Sequence, residues 1–97
     1  MDVEFSGKAS HASAPEKGIN ALDAAINMFV ATASLKKHLR DEVRINGIIS
    51  EGGTAVNIVP ERAVVHFSIR AHNRIYLQKV IAGVEDCAKA GAMAARA

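Results

Sequence analysis

The sequence predicts an α+β domain in which strands and helices follow the order β-α-β-β-α. Three observations carry this. Apolar and polar residues alternate in three short stretches, 2–10, 43–49 and 62–70, which is the period of a half-buried strand. Two longer stretches, 19–40 and the run after Asn73, instead repeat their apolar residues at helical spacing. Turn-forming residues stand between them: Pro15 and Gly18, then Gly52-Gly53, then Pro60.

Each element has its own justification. In 2–10, Val3 and Phe5 share one side while Asp2, Glu4, Ser6 and Lys8 take the other. His11 to Gly18 is a loop of small residues around Pro15. Over 19–40 the stripe Ile19, Leu22, Ile26, Phe29 and Ala33 is expected to rest on the sheet, and Lys36, Lys37 and Arg40 suit the negative end of the helix dipole. Val43, Ile45 and Ile49 form one face of the second strand. Glycines 52 and 53 permit unusual backbone shapes and a close approach of other atoms. The third strand, 62–70, buries Ala63, Val65, Phe67 and Ile69 and sends Arg62, His66 and Arg70 to the opposite face. Asn73 caps a second helix carrying Leu77, Val80 or Ile81, Val84, Ala88, Gly91 and Ala95. Two helices on one face of an antiparallel sheet, with a crossover through helix one, is the start of a ferredoxin-like sandwich, β-α-β-β-α(-β). The closing strand is missing, so residues 1–97 are expected to be one domain excised from a longer chain.

Composition narrows the function. Ninety-seven residues, about half of them hydrophobic, make one small domain with a single core. A net charge of +2, with basic residues spread along the chain, gives no reason to expect nucleic acid. An RNA-binding sheet would display aromatic rings on its open face, and here the only aromatic of its strand, Phe67, points inward by alternation. The single cysteine, Cys87, excludes an internal disulfide and a cysteine-based zinc site. No apolar run reaches the roughly 20 residues of a membrane span and no signal-peptide pattern opens the chain; a soluble cytoplasmic protein, away from membranes, is the expectation.

Helix one has a second apolar stripe, Ala21, Ala24, Met28, Ala31, Leu35 and Leu39. A helix on a sheet needs only one apolar face, so another helix is expected against it, from this chain or from a second copy. Strand 43–49 falls at a sheet edge in this topology, open to pairing. Together they predict a homodimer formed through helix 19–40 and edge strand 43–49.

Taken singly, the polar candidates are modest. His11 lies among residues too small to bury it, where an imidazole can donate a hydrogen bond or move a proton. Asn57 could bind a ligand or bond the backbone of its own turn. Arg70 ends its strand with a guanidinium fork suited to a carboxylate. No histidine has metal-ligand spacing to another histidine or a carboxylate, so no metal site is expected in this chain.

In combination they are familiar. The runs Phe5-Ser-Gly-Lys-Ala-Ser-His11-Ala-Ser-Ala-Pro15, Gly18-Ile-Asn-Ala-Leu-Asp-Ala, Gly52-Gly53-Thr-Ala-Val-Asn57-Ile-Val-Pro60 and Phe67-Ser-Ile-Arg70 resemble the dimerisation, or lid, domain of the zinc-dependent aminoacylase and carboxypeptidase family. The loop wording is most similar to the aminobenzoyl-glutamate hydrolase branch. The resemblance covers essentially the whole chain. It implies a lid inserted into a catalytic domain that holds two divalent metal ions, zinc being expected, and that hydrolyses the amide of an N-acyl amino acid or dipeptide-like substrate. It implies that His11 reaches the active site of the partner as an oxyanion donor. It also implies that Gly53, Thr54, Asn57 and Arg70 hold substrate, Arg70 on a terminal carboxylate. The chain alone is then expected to be inactive. A freestanding ferredoxin-like dimerisation or ligand-binding module is the alternative.

Overall fold

The computed structural model describes all 97 residues. β1 (Asp2–Ser6), β2 (Arg44–Glu51) and β3 (Arg62–Arg70) form one antiparallel sheet in the order β1-β3-β2. Helices α1 (Ala21–Lys36) and α2 (Arg74–Ala95) pack on one face, and a 3-10 turn at Pro15–Lys17 lies in the first connection. This is the α+β ferredoxin-like arrangement expected, with β2 at an edge. β3 occupies the central position and has the predicted bounds.

The other element ends differ from expectation, each for a local reason. β1 stops at Ser6 rather than Ser10 because Gly7 turns its N–H to Glu61 O (2.8 Å) and Lys8 pairs with Ile19 instead of β3. The crossing is so close that a Cβ on Gly7 would stand 2.2 Å from Ile19 O. Ile19 therefore belongs to this bridge, and α1 starts after Asn20, whose side chain accepts from Asp23 N at 3.0 Å. At its far end α1 gives way at Lys36 to a turn, short of Arg40. β2 runs on to Glu51 through an irregularity between Ile49 and Glu51.

The core joins Phe5, Ile45, Ala63, Val65 and Phe67 of the sheet to Ala21, Ala24, Ala25 and Met28 of α1 and Val80, Val84 and Cys87 of α2. Of the two partners left open for the small-residue stripe of helix one, the structure shows the one within this chain. The small-residue stripe is the covered one, and α2 of the same chain covers it. Gly91 sits so tightly on α1 that a Cβ there would lie 2.6 Å from Ala24 O and 2.8 Å from Met28 N. Small side chains and a glycine let the two backbones approach; of the bulkier stripe, Phe29 rests on the sheet with its ring 4.9 Å from that of Phe67, while Ile26, with Val30 beside it, is turned outward. Ile26 is 44% exposed and Val30 64%, while Leu22 and Phe29 are half-buried. This outer side of α1 adjoins edge β2: Phe29, Ala33 and Lys36 line a cleft with Ile45 and Gly47, and Lys36 Nζ donates to Ile45 O at 3.3 Å. No helix is long and apolar enough to cross a membrane.

Candidate functional site

Two loops meet at the end of the sheet where β1 stops and β3 begins. The first, between β1 and α1, is closed at its base by reciprocal Lys8–Ile19 hydrogen bonds, both 2.9 Å. Gly18 leaves room there for Ser10, whose Oγ a Cβ would approach to 2.3 Å and so displace. The second loop, 52–60, turns at Gly53, whose φ of +125° lies in a region L side chains rarely adopt, and Gly53 packs on the Pro60 ring. The loops are laced together. Val59 N donates to Ser10 O (2.8 Å), Ala12 N to Asn57 O (2.9 Å) and Ala21 N to Pro60 O (2.9 Å), so His11 and Ile58 form an isolated bridge.

His11 is thereby held by main chain on both sides while its ring stays exposed. Its Nδ1 accepts from Ser13 N at 3.0 Å and lies 2.7 Å from Ser13 Oγ. Asn57 is brought beside it. The main-chain oxygen of Asn57 is used in the lacing, and its exposed side-chain amide bonds no turn of its own. Gly53 and Thr54 share this end, lining a cleft of about 500 Å³ with Ser50, Gly52, Pro60 and Arg62 among others. Arg70 is not brought to it. It closes β3 at the opposite end of the sheet, across from Arg44, exposed and outside every ion pair of the chain. Nine residues of strand separate the two ends, roughly 26 Å at about 3.3 Å per residue.

The open face of the sheet carries polar groups that sequence reasoning left unpaired. Arg62 Nε donates to Glu4 Oε1 at 2.9 Å and its Nη1 donates to Glu51. These bonds hold the Glu4 carboxyl below its ordinary value and raise Arg62 further above its own. His66 spans all three strands: Nδ1 meets Asp2 Oδ1 at 2.8 Å and Nε2 meets Ser50 Oγ at 2.9 Å. The hydrogen bond from His66 lowers the Asp2 pKa, with its charge adding to the effect. A neutral His66 accepts from Ser50. If the ring is protonated, Ser50 can accept from it and donate to Val64 O at 3.4 Å, so the bridge survives either state. Alternation already placed Asp2 and Glu4 on one outer face and Arg62 and His66 on another; the missing fact was the register, which sets Asp2 directly across from His66. No group of three or more His, Cys, Asp or Glu side chains converges in a way that could hold a metal ion, so the residues present do not fit one.

A three-stranded sheet with a free edge, an apolar helix face beside that edge and a laced pair of loops presenting an imidazole defines a domain built to work against other surfaces. Residues 1–95 match the family model described as the peptidase dimerisation domain, and the chain belongs to that family. It is 39% identical over 95 residues to the Xaa-Arg dipeptidase of Mus musculus, covering 97% of this chain and 22% of that protein. It is 33% identical over 81 residues to a p-aminobenzoyl-glutamate hydrolase subunit of Escherichia coli strain K12, covering 82% of this chain and 19% of the relative. The crystal structure of an aminobenzoyl-glutamate utilization protein from Klebsiella pneumoniae superposes with a TM-score of 0.85 at 29% identity, covering 98% of this chain and 24% of that one. The chain thus spans about a fifth of the length of the curated relatives it matches. The aminobenzoyl-glutamate hydrolases suggested by the loop wording are among them.

Proposed function

We propose that this chain is the dimerisation and lid domain of a metal-dependent amidohydrolase that cleaves the amide of an N-acyl amino acid or dipeptide-like substrate. One observation carries the reading: His11 and Asn57 stand at one end of the sheet and Arg70 at the other, with the free β2 edge running between the ends. A two-fold axis that pairs two β2 edges antiparallel sets the His11–Asn57 end of one copy beside the Arg70 end of its partner. Ile26 and Val30, exposed beside that edge, supply the apolar part of the same interface. The composite site then has an imidazole to donate to the developing oxyanion. Asn57, with Gly53 and Thr54, offers amide, main-chain and hydroxyl groups to the substrate, and the guanidinium of Arg70 takes its carboxylate bidentately. Two divalent metal ions, zinc in this reading, belong to a catalytic domain elsewhere in a longer chain, where they would activate water and polarise the scissile carbonyl. The 97-residue chain alone is expected to hydrolyse nothing, and a soluble cytoplasmic enzyme is the setting proposed.

The test is complementation in the full-length enzyme. His11→Ala and Arg70→Ala chains are assayed at substrate far below KM, where the first is nearly inactive and the second keeps about a tenth of the activity or less; they are unfolded together and reassembled in equal amounts. Half the dimers are then mixed, each with one intact site, so about a quarter of the wild-type activity returns. No recovery, with mixed dimers demonstrated by mass, would place both residues in one chain's site and refute the composite arrangement. Full activity of His11→Ala would remove the catalytic role of that histidine.

A further inference from the structure

We propose that Ser13 is a positioning residue that holds the neutral His11 ring with its proton on Nε2. A backbone N–H can only donate. The 3.0 Å contact from Ser13 N to His11 Nδ1 therefore fixes Nδ1 as an acceptor, and in a neutral imidazole the one ring proton must then sit on Nε2. The Ser13 hydroxyl, 2.7 Å from the same Nδ1, has no ring proton to accept there and donates as well, so the two hydrogens share one lone pair. The backbone enforces this. Ala14 N donates to His11 O at 2.9 Å, closing a turn whose inner residues are Ala12 and Ser13 and pointing the Ser13 N–H back at the ring. The lacing of Ala12 to Asn57 keeps the turn from rotating away.

The consequence follows from the sign of the group presented. With the proton on Nε2 the ring offers a donor to solvent and substrate; with it on Nδ1 the ring would offer a lone pair, which repels an oxyanion. The catalytic value of that difference rests on the reading of His11 as an oxyanion donor. The location of the proton does not.

Long-range ¹H–¹⁵N spectra of the labelled chain, recorded in a buffer alkaline enough to keep imidazole neutral, read both ring nitrogens directly. The native His11 is expected to show a protonated, pyrrole-type Nε2 and a hydrogen-bonded, pyridine-type Nδ1. Ser13→Ala keeps the N–H, which by itself holds the tautomer less firmly than the two donors together, so a fraction of the Nδ1-protonated form mixes in by fast exchange: the averaged Nδ1 resonance moves upfield and Nε2 downfield, toward each other. Ser13→Thr restores the native pair of shifts, and Ser13→Gly repeats the effect of alanine. The amide spectrum of each variant shows that the fold is kept. A native ring protonated on Nδ1 would overturn the proposal, as would native shifts at both nitrogens in Ser13→Ala and Ser13→Gly. If His11 proved dispensable for hydrolysis in the full-length enzyme, the functional reading would fail while these spectra would still decide the role of Ser13.

Discussion

The two ends of the sheet are built on opposite principles. At the β1–β3 end, three main-chain hydrogen bonds of 2.8–2.9 Å between distant segments lock the 52–60 loop to the first connection and the first residue of α1, and two glycines sit where a side chain would displace a neighbour or strain the backbone. The groups presented there, His11 and Asn57, are short and held by backbone. At the other end Arg70 is carried on a long flexible stem with no ion pair inside the chain. Rigid donors suit a reacting carbonyl, whose position must be fixed to fractions of an ångström. A mobile guanidinium suits a carboxylate whose position varies with the substrate. On the function proposed, the contrast means that neither end is a site by itself.

The sharpest way to break that comparison is to remove the fixed donor. In the full-length enzyme His11→Ala is expected to lower kcat by about 10²–10³-fold with little change in KM, because the interaction is made chiefly in the transition state. A KM effect of the same size would make His11 a substrate anchor and erase the distinction between the ends. Arg70→Ala should do the reverse, raising KM by roughly tenfold or more while sparing kcat. Lysine should rescue it poorly, since it lacks the planar fork. Steady-state kinetics on both variants check the pair.

Most of the fold was legible because its signals are local. Alternation located all three strands, and β3 to the residue, since Ala63, Val65 and Phe67 face the core without interruption. What escaped was set by distant partners. Nothing near Ile19 announces that it pairs with Lys8. The sequence of α1 offers two apolar stripes, and only Gly91, more than fifty residues away, decides which one is covered. The site divides in the same way. His11, Asn57 and Arg70 were picked out as candidates from their local setting, and motif wording gave them their expected roles, whereas the Asp2–His66–Ser50 bridge depends on register across three strands. That Arg70 stands far from the other two could have been read from its place at the end of a nine-residue strand whose start adjoins the loops.

A smaller effect tests whether the laced end owes its rigidity to backbone conformation. Gly53→Ala places a Cβ at a φ of +125° and 3.0 Å from the Pro60 ring, so it should destabilise the domain by about 1 kcal/mol or somewhat more. In a chain of this size that lowers Tm by roughly 4–8 °C. At the opposite end the exposed His72 should tolerate alanine within about 0.5 kcal/mol. Thermal unfolding followed by circular dichroism compares the two directly. Equal tolerance would mean that the loop relaxes around the new side chain.

The smallest effect is electrostatic and belongs to neither end. Asp2 and Glu4 lie on the open face, and hydrogen bonds from His66 and Arg62 respectively hold their pKa values below the ordinary 3.8 and 4.5. A carboxyl whose folded value is depressed contributes stability that is fully present above its unfolded value and lost as pH falls through the folded one. Unfolding midpoints should therefore be flat with respect to these two groups above about pH 5 and should decline from about pH 4 downward. Asp2→Asn and Glu4→Gln should each flatten part of that decline and leave the neutral-pH midpoint nearly unchanged, because exposed pairs contribute little when screened by water and salt. Raising the ionic strength should shrink the decline further. An acid decline identical in the double variant would show that the three strands are held by their ladder and core alone, with the charged face passive until another surface meets it.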